Sequence, residues 1–106
     1  MIDTIVLVPA FDNDGAPFPA AAFREFEART LDAFGGWSEF LGDARGAWRD
    51  EDGTAYPDGH RVYQISVPFN QLGEFIALVQ WTRQRFGQFE LRVAVEGHFH
   101  NVGPAL

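Results

Sequence analysis

Short apolar runs and amphipathic stretches succeed one another along this chain as strand, helix, strand, strand, helix, strand, and that order constrains the fold more than composition does. Residues 3–9 (DTIVLVP) are rich in β-branched side chains, apolar at both parities and closed by Pro9, the pattern of a central strand covered on both sides. Asp12-Asn13-Asp14-Gly15 makes a turn. From Pro19 onward, Phe23, Phe26, Thr30 and Phe34 recur at helical spacing, with Arg24, Glu25, Glu27 and Arg29 between them, and Gly35-Gly36 supplies a left-handed stop. Residues 37–49 hold too many glycines and aromatics for a helix and read as an edge strand, bent or bulged near Gly42-Asp43. The turn Asp50-Glu51-Asp52-Gly53 follows.

Residues 60–67 set Tyr63, Ile65 and Val67 against Val62, Gln64 and Ser66, a period of two that marks a strand with one buried face, and Pro68 ends it. A second helix spans about 71–86, with Leu72, Phe75, Ile76, Val79 and Phe86 on one stripe, Leu78 and Trp81 off it, and Gly87 as its cap. Unbroken alternation over residues 88–100 places Leu91, Val93 and Val95 on one face of the last strand. Arg92, Ala94, Glu96, His98 and His100 fall on the other.

The βαββαβ order predicts a single α+β domain, residues 1–106, of the ferredoxin-like split β-α-β kind. Its four-stranded antiparallel sheet, in spatial order 4-1-3-2, has both helices on one face. Eleven Phe and three Trp supply a core that needs no covalent staples. The absence of Cys excludes disulfides, thiolate metal sites and a Cys nucleophile. Fifteen acidic residues against eight basic ones, all Arg, give a formal charge of -7, which repels a phosphate backbone, so no nucleic-acid partner is expected. Nothing basic precedes the run Ile5-Val6-Leu7-Val8, which is too short for a membrane or signal segment, and the expectation is a cytoplasmic protein.

The sheet face away from the helices is expected to carry Val6, Val8, Trp48, Val62, Gln64, Ala94, Glu96 and His98, too apolar to be simply wet. A second copy packed there encloses a cavity, and that arrangement frames the candidate sites. His98 and His100, two apart on a strand, point the same way and can share a divalent metal, with Asp3 as third ligand. His60 starts its strand at the opposite end of the sheet and cannot join them. Glu96 with Gln64 or His98 forms an acid/base pair whose carboxylate is poised by partial burial. Trp48 can stack on a planar ligand while Arg49 or Arg45 holds an anion, with Gln64 and Glu96 completing a ligand site, or Trp48 can lie over the gap at Gly46. The two acidic turns fail the EF-hand pattern, since Ala10 and Trp48 would fall at the first ligand position and Ala21 and Gly59 at the twelfth.

Phe34-Gly35-Gly36, then Gly46-x-Trp48-Arg49 with an acidic turn ending at Gly53, then Phe86-Gly87-Gln88, resemble small bacterial proteins of uncharacterised function with a ferredoxin-like fold. The resemblance spans roughly residues 5–95. Members often place an acidic residue directly after the final Gln, whereas here Phe89 precedes Glu90. The shared motifs are structural, so the resemblance implies the fold and transfers no catalytic residue. Three functions are consistent with these residues: a homodimeric small-ligand-binding or protein-interaction module, a dimeric α+β barrel enzyme performing cofactor-independent proton transfer or oxygen chemistry, and a His-based metal-binding protein.

Overall fold

A computed structural model describes residues 1–40 and 44–105. The described residues form an α+β domain with two α-helices and a six-stranded antiparallel sheet. Strand β1 (Ile2–Pro9) is central and lies between β4 (Ala55–Val67) and β5 (Leu91–Val95). Beyond β5 lies β6 (His98–Val102), and the other flank of β4 carries β2 (Ser38–Glu39) and β3 (Ala44–Arg49). The sequence expectation of four strands is thereby corrected to six. Ser38 stands opposite Gln64 and Ala44 opposite His60, so six positions along one side match four along the other. The expected bend near Gly42-Asp43 lies outside the described residues.

The core sits between the sheet and helices α1 (Ala20–Phe34) and α2 (Leu72–Arg85). Val6 faces Tyr63 on one side and Val93 on the other, and Val6, Val8, Tyr63, Ile65, Val67, Leu91 and Val93 are all buried against Phe23, Phe26, Phe75 and Val79. Each such side chain contributes roughly 1.5–3 kcal/mol relative to exposure. Val6 and Val8 therefore face the helices, contrary to the expectation that they line the opposite face. Ile5 and Leu7 do so instead. A strand apolar at both parities gives alternation nothing to choose between.

Helix α1 ends as expected, with Gly35 in the left-handed region (φ 79) donating its N–H to the Leu31 carbonyl. Helix α2 is rotated from the expected stripe: Leu78 and Thr82 are buried, while Leu72 and Ile76 are each 40% exposed. Thr82 can lie inward because its hydroxyl donates to the Leu78 carbonyl at 2.7 Å, and Thr30 does the same to Phe26 at 2.7 Å. A satisfied hydroxyl costs little to bury.

The expected last strand is in fact two. Glu96 (φ 50) and Gly97 (φ 80) both take positive φ, the geometry of a two-residue type I′ turn, and reverse the chain between Val95 and His98. Among the described residues no helix is long and apolar enough to cross a membrane.

Candidate functional site

Reversal at Glu96-Gly97 redistributes the candidate residues. His98 pairs with Val95 and His100 with Val93, so both imidazoles lie on the helix-side parity of the sheet, where alternation through an unbroken strand had set them on the open face. Asp3 pairs with Ser66 on β4 and belongs to the open-face parity, two strands away. The set His98, His100 and Asp3 does not converge. Among the described residues no group of three His, Asp or Glu is arranged to hold a metal ion. His60, level with Pro9 on β1, is likewise distant from the other two.

Glu96 has a structural engagement. Its carboxylate Oε1 accepts the Asp3 N–H at 3.0 Å, while its own N–H donates to the Asp3 carbonyl at 2.8 Å, extending the β1–β5 ladder by one rung. Gln64 and Ala94 both oppose Ile5, one on each side, so β1 stands between Gln64 and the Glu96 end of β5. That separation is roughly 10 Å, two strand spacings, beyond the reach of a direct acid/base pair. Trp48 and Arg49 lie on the β3–β4 ribbon beyond His60, at the far end of β4 from Gln64. The notch at Gly46 is filled by the Asp58 carboxylate, whose Oδ1 would stand 2.8 Å from an added Cβ, rather than by Trp48. Trp81 is half-buried beneath the Arg29 guanidinium, 4.2 Å from its ring centre, and beside it Arg85 pairs with Glu25 at 2.6 Å.

One candidate residue does line a cleft. Because β2 starts at Ser38, opposite Gln64, Ser66 has no β2 partner, and the Phe34–Trp37 connection closes over that gap. The resulting cleft, about 350 Å³, is bounded by Trp37, Ser38, Gln64, Ser66, Met1 and the Gly35-Gly36 backbone. Gln64 donates its amide to the Ser66 hydroxyl at 3.2 Å, which orients both groups. An indole wall, two hydroxyls and an amide suit a flat polar molecule, which needs a stacking surface and a few directed hydrogen bonds.

Behind Trp37 lies a polar network. The Trp37 ring meets Tyr63 edge-on at 5.8 Å, and the Tyr63 hydroxyl donates to Glu27 Oε2 at 2.7 Å. Arg61 grips Glu39 with two bonds of 2.7 and 2.8 Å, approaches Glu27 at 3.6 Å and lies over the Phe23 ring at 4.3 Å. The Glu39 carboxyl is held below its ordinary range by the hydrogen bond from Arg61, with burial opposing. Burial, then the bond to Glu27, pushes the Tyr63 hydroxyl well above its ordinary value. His60 is pushed down by burial, against the pull of Asp58 at 3.9 Å. The network keeps Glu39 charged and Tyr63 protonated beside the cleft.

None of Arg61, Glu27, Glu39 and Trp37 was singled out from sequence, although one signal existed. Arg61 shares the inward parity of Tyr63, Ile65 and Val67, and a charge at a buried-parity position requires a partner.

No family model and no curated protein matches the chain. Solved structures do. A phage SAM lyase in complex with S-methyl-5′-thioadenosine is 14% identical, and the alignment covers 97% of this chain and 89% of that one with a TM-score of 0.73. A phage SAM lyase in its apo state is 13% identical over 99% and 90%, with a TM-score of 0.68. At these identities the likeness is one of fold.

Proposed function

We propose that this chain is a small-ligand-binding module of the split β-α-β kind. Its ligand is of the thioadenosine class, held in the cleft between the α1–β2 connection and the end of β4. The observation that carries this reading is the whole-chain likeness to a lyase solved with S-methyl-5′-thioadenosine bound. The cleft supports it chemically: Trp37 offers a stacking surface for an adenine ring, while Ser38, Ser66 and Gln64 offer hydrogen bonds to ribose hydroxyls and ring nitrogens. A second copy of the chain is proposed as partner.

The enzymatic form of this reading is cleavage of S-adenosylmethionine in which the substrate's own carboxylate attacks the amino-acid carbon bonded to sulfur: a lactone C–O bond forms as the C–S bond breaks, and the bonding electrons leave with S-methyl-5′-thioadenosine. The charged network behind Trp37 then supplies a fixed electrostatic environment, with no cofactor required. Titration of the purified protein with S-methyl-5′-thioadenosine, followed by calorimetry, is expected to give saturable binding. Trp37→Ala is expected to weaken it by about tenfold, the worth of one stacking contact. Incubation with S-adenosylmethionine, followed by chromatography, tests turnover through appearance of the thioadenosine. Absence of saturable binding to either compound by a folded protein would overturn the proposal.

A further inference from the structure

The two edges of the sheet are built differently. One edge carries Glu39, Arg45 and Arg49, and its pairing with β4 changes offset between β2 and β3, features that discourage a further strand from adding. The other edge is β6, His98-Phe99-His100-Asn101-Val102, with no Asp, Glu, Lys or Arg in a chain of formal charge -7. Among the described residues strand β6 pairs with β5 alone. The two-residue turn makes Val95 and His98 a hydrogen-bonded pair, and alternation then directs the N–H and C=O of Phe99 and Asn101 away from β5. Those outward groups form a short, uncharged template for another strand.

We propose that β6 pairs antiparallel with β6 of a second copy, with His100 opposite the partner's His100 on a two-fold axis. In that register Phe99 lies opposite the partner's Asn101 and Asn101 opposite the partner's Phe99. The two outward pairs exchange four backbone hydrogen bonds, and no Asp, Glu, Lys or Arg of one strand opposes a like charge on the other. A second copy is favoured over a foreign strand because this five-residue segment is complementary to itself about its own centre. The charge of -7 keeps copies apart everywhere except along an edge that carries none of it. The pairing would join two six-stranded sheets into one, with the face bearing Ile5, Leu7 and Phe99 continuous across both copies. It stands independently of the thioadenosine reading.

The chain contains no cysteine, so single cysteines report the register directly. Opposed residues in a non-hydrogen-bonded pair sit about 4.5 Å apart at Cα, within the span of a disulfide. Oxidised His100→Cys is expected to run as a cross-linked dimer on a non-reducing gel. Phe99→Cys mixed with Asn101→Cys is expected to cross-link more readily than either alone. In sedimentation the wild-type protein is expected at twice the 11.9 kDa chain mass. Asn101→Pro, which removes one outward donor per copy, no backbone bond to β5 and one side-chain bond from Arg92, is expected to raise the dissociation constant by about tenfold or more. Circular dichroism confirms that this variant is folded. Three results would each overturn the proposal: wild-type protein sedimenting as single chains at about 100 μM, a dimer in which His100→Cys fails to cross-link, or a monomer whose β6 instead takes up an unrelated β-strand peptide.

Discussion

Strand β4 runs through two regions that share a backbone and little else. From His60 to Val67 it pairs with β1, and Tyr63, Ile65 and Val67 are fully buried beneath α1 and α2. From Ala55 to Asp58 it pairs, among the described residues, with β3 alone, and five of the six β3 residues are exposed, with Trp48 at 53%. Both regions have continuous strand pairing, so pairing does not distinguish them; the layer of helices does. A two-stranded ribbon without a buried face is marginal in water, and backbone pairs open locally where no apolar contacts hold them.

The contrast can be broken most directly at Phe26, which is fully buried against Tyr63 at a ring distance of 4.8 Å. Phe26→Ala is expected to cost about 3–5 kcal/mol in denaturant unfolding, the usual result of emptying an aromatic site in a packed core.

A smaller effect is expected at Tyr63, where β4 enters the polar network. Tyr63→Phe leaves Glu27 without its 2.7 Å donor, at a cost of about 1–2 kcal/mol. The pH dependence adds a second readout. The folded-state pKa of Tyr63 is raised, so its contribution is complete below the unfolded value of 10.0 and is lost as pH rises above it, where the unfolded chain ionises and the native one does not. The wild-type melting temperature is therefore expected to fall above about pH 10, and Tyr63→Phe to flatten that fall. Parallel alkaline slopes for the two proteins would remove Tyr63 from the account.

The smallest effect belongs to the ribbon. Arg45→Ala is expected to change stability by less than about 0.5 kcal/mol. Amide exchange in β3 is expected to run far ahead of exchange in β1. Equal protection of the two strands would show that the ribbon is held by something other than its pairing.

Much of the helix-covered region was legible in the sequence because several local signals agreed there. Gly35 closes α1, Tyr63, Ile65 and Val67 alternate, and Pro68 directly follows the end of β4. Legibility failed where a signal was ambiguous or unusual. In Ile5-Val6-Leu7-Val8 both parities are apolar, so the inward face could be chosen only by neighbouring strands. Glu96-Gly97 lacks the Asn or Asp that normally announces a type I′ turn, and that one omission put His98 and His100 on the wrong face. Thr82 lies outside the apolar stripe expected for the second helix, and it is buried because its hydroxyl is satisfied within the helix. The cleft was half-visible: Gln64 was named, whereas Trp37 and the Arg61 network depend on Phe34–Trp37 folding back toward β4, a long-range event with no local signature.

The central place of β1 also governs how the chain must assemble. Strand β1 is synthesised before both of its partners and pairs with residues 60–67 and with residues 93–95, so Thr4 waits for Val95, some ninety residues later, before its second flank closes. Contacts of such separation slow folding, because the loop must be closed before the contact stabilises anything. On the ribosome, one flank of β1 would remain open until β5 had emerged, and a chain stopped before Leu91 would keep it so.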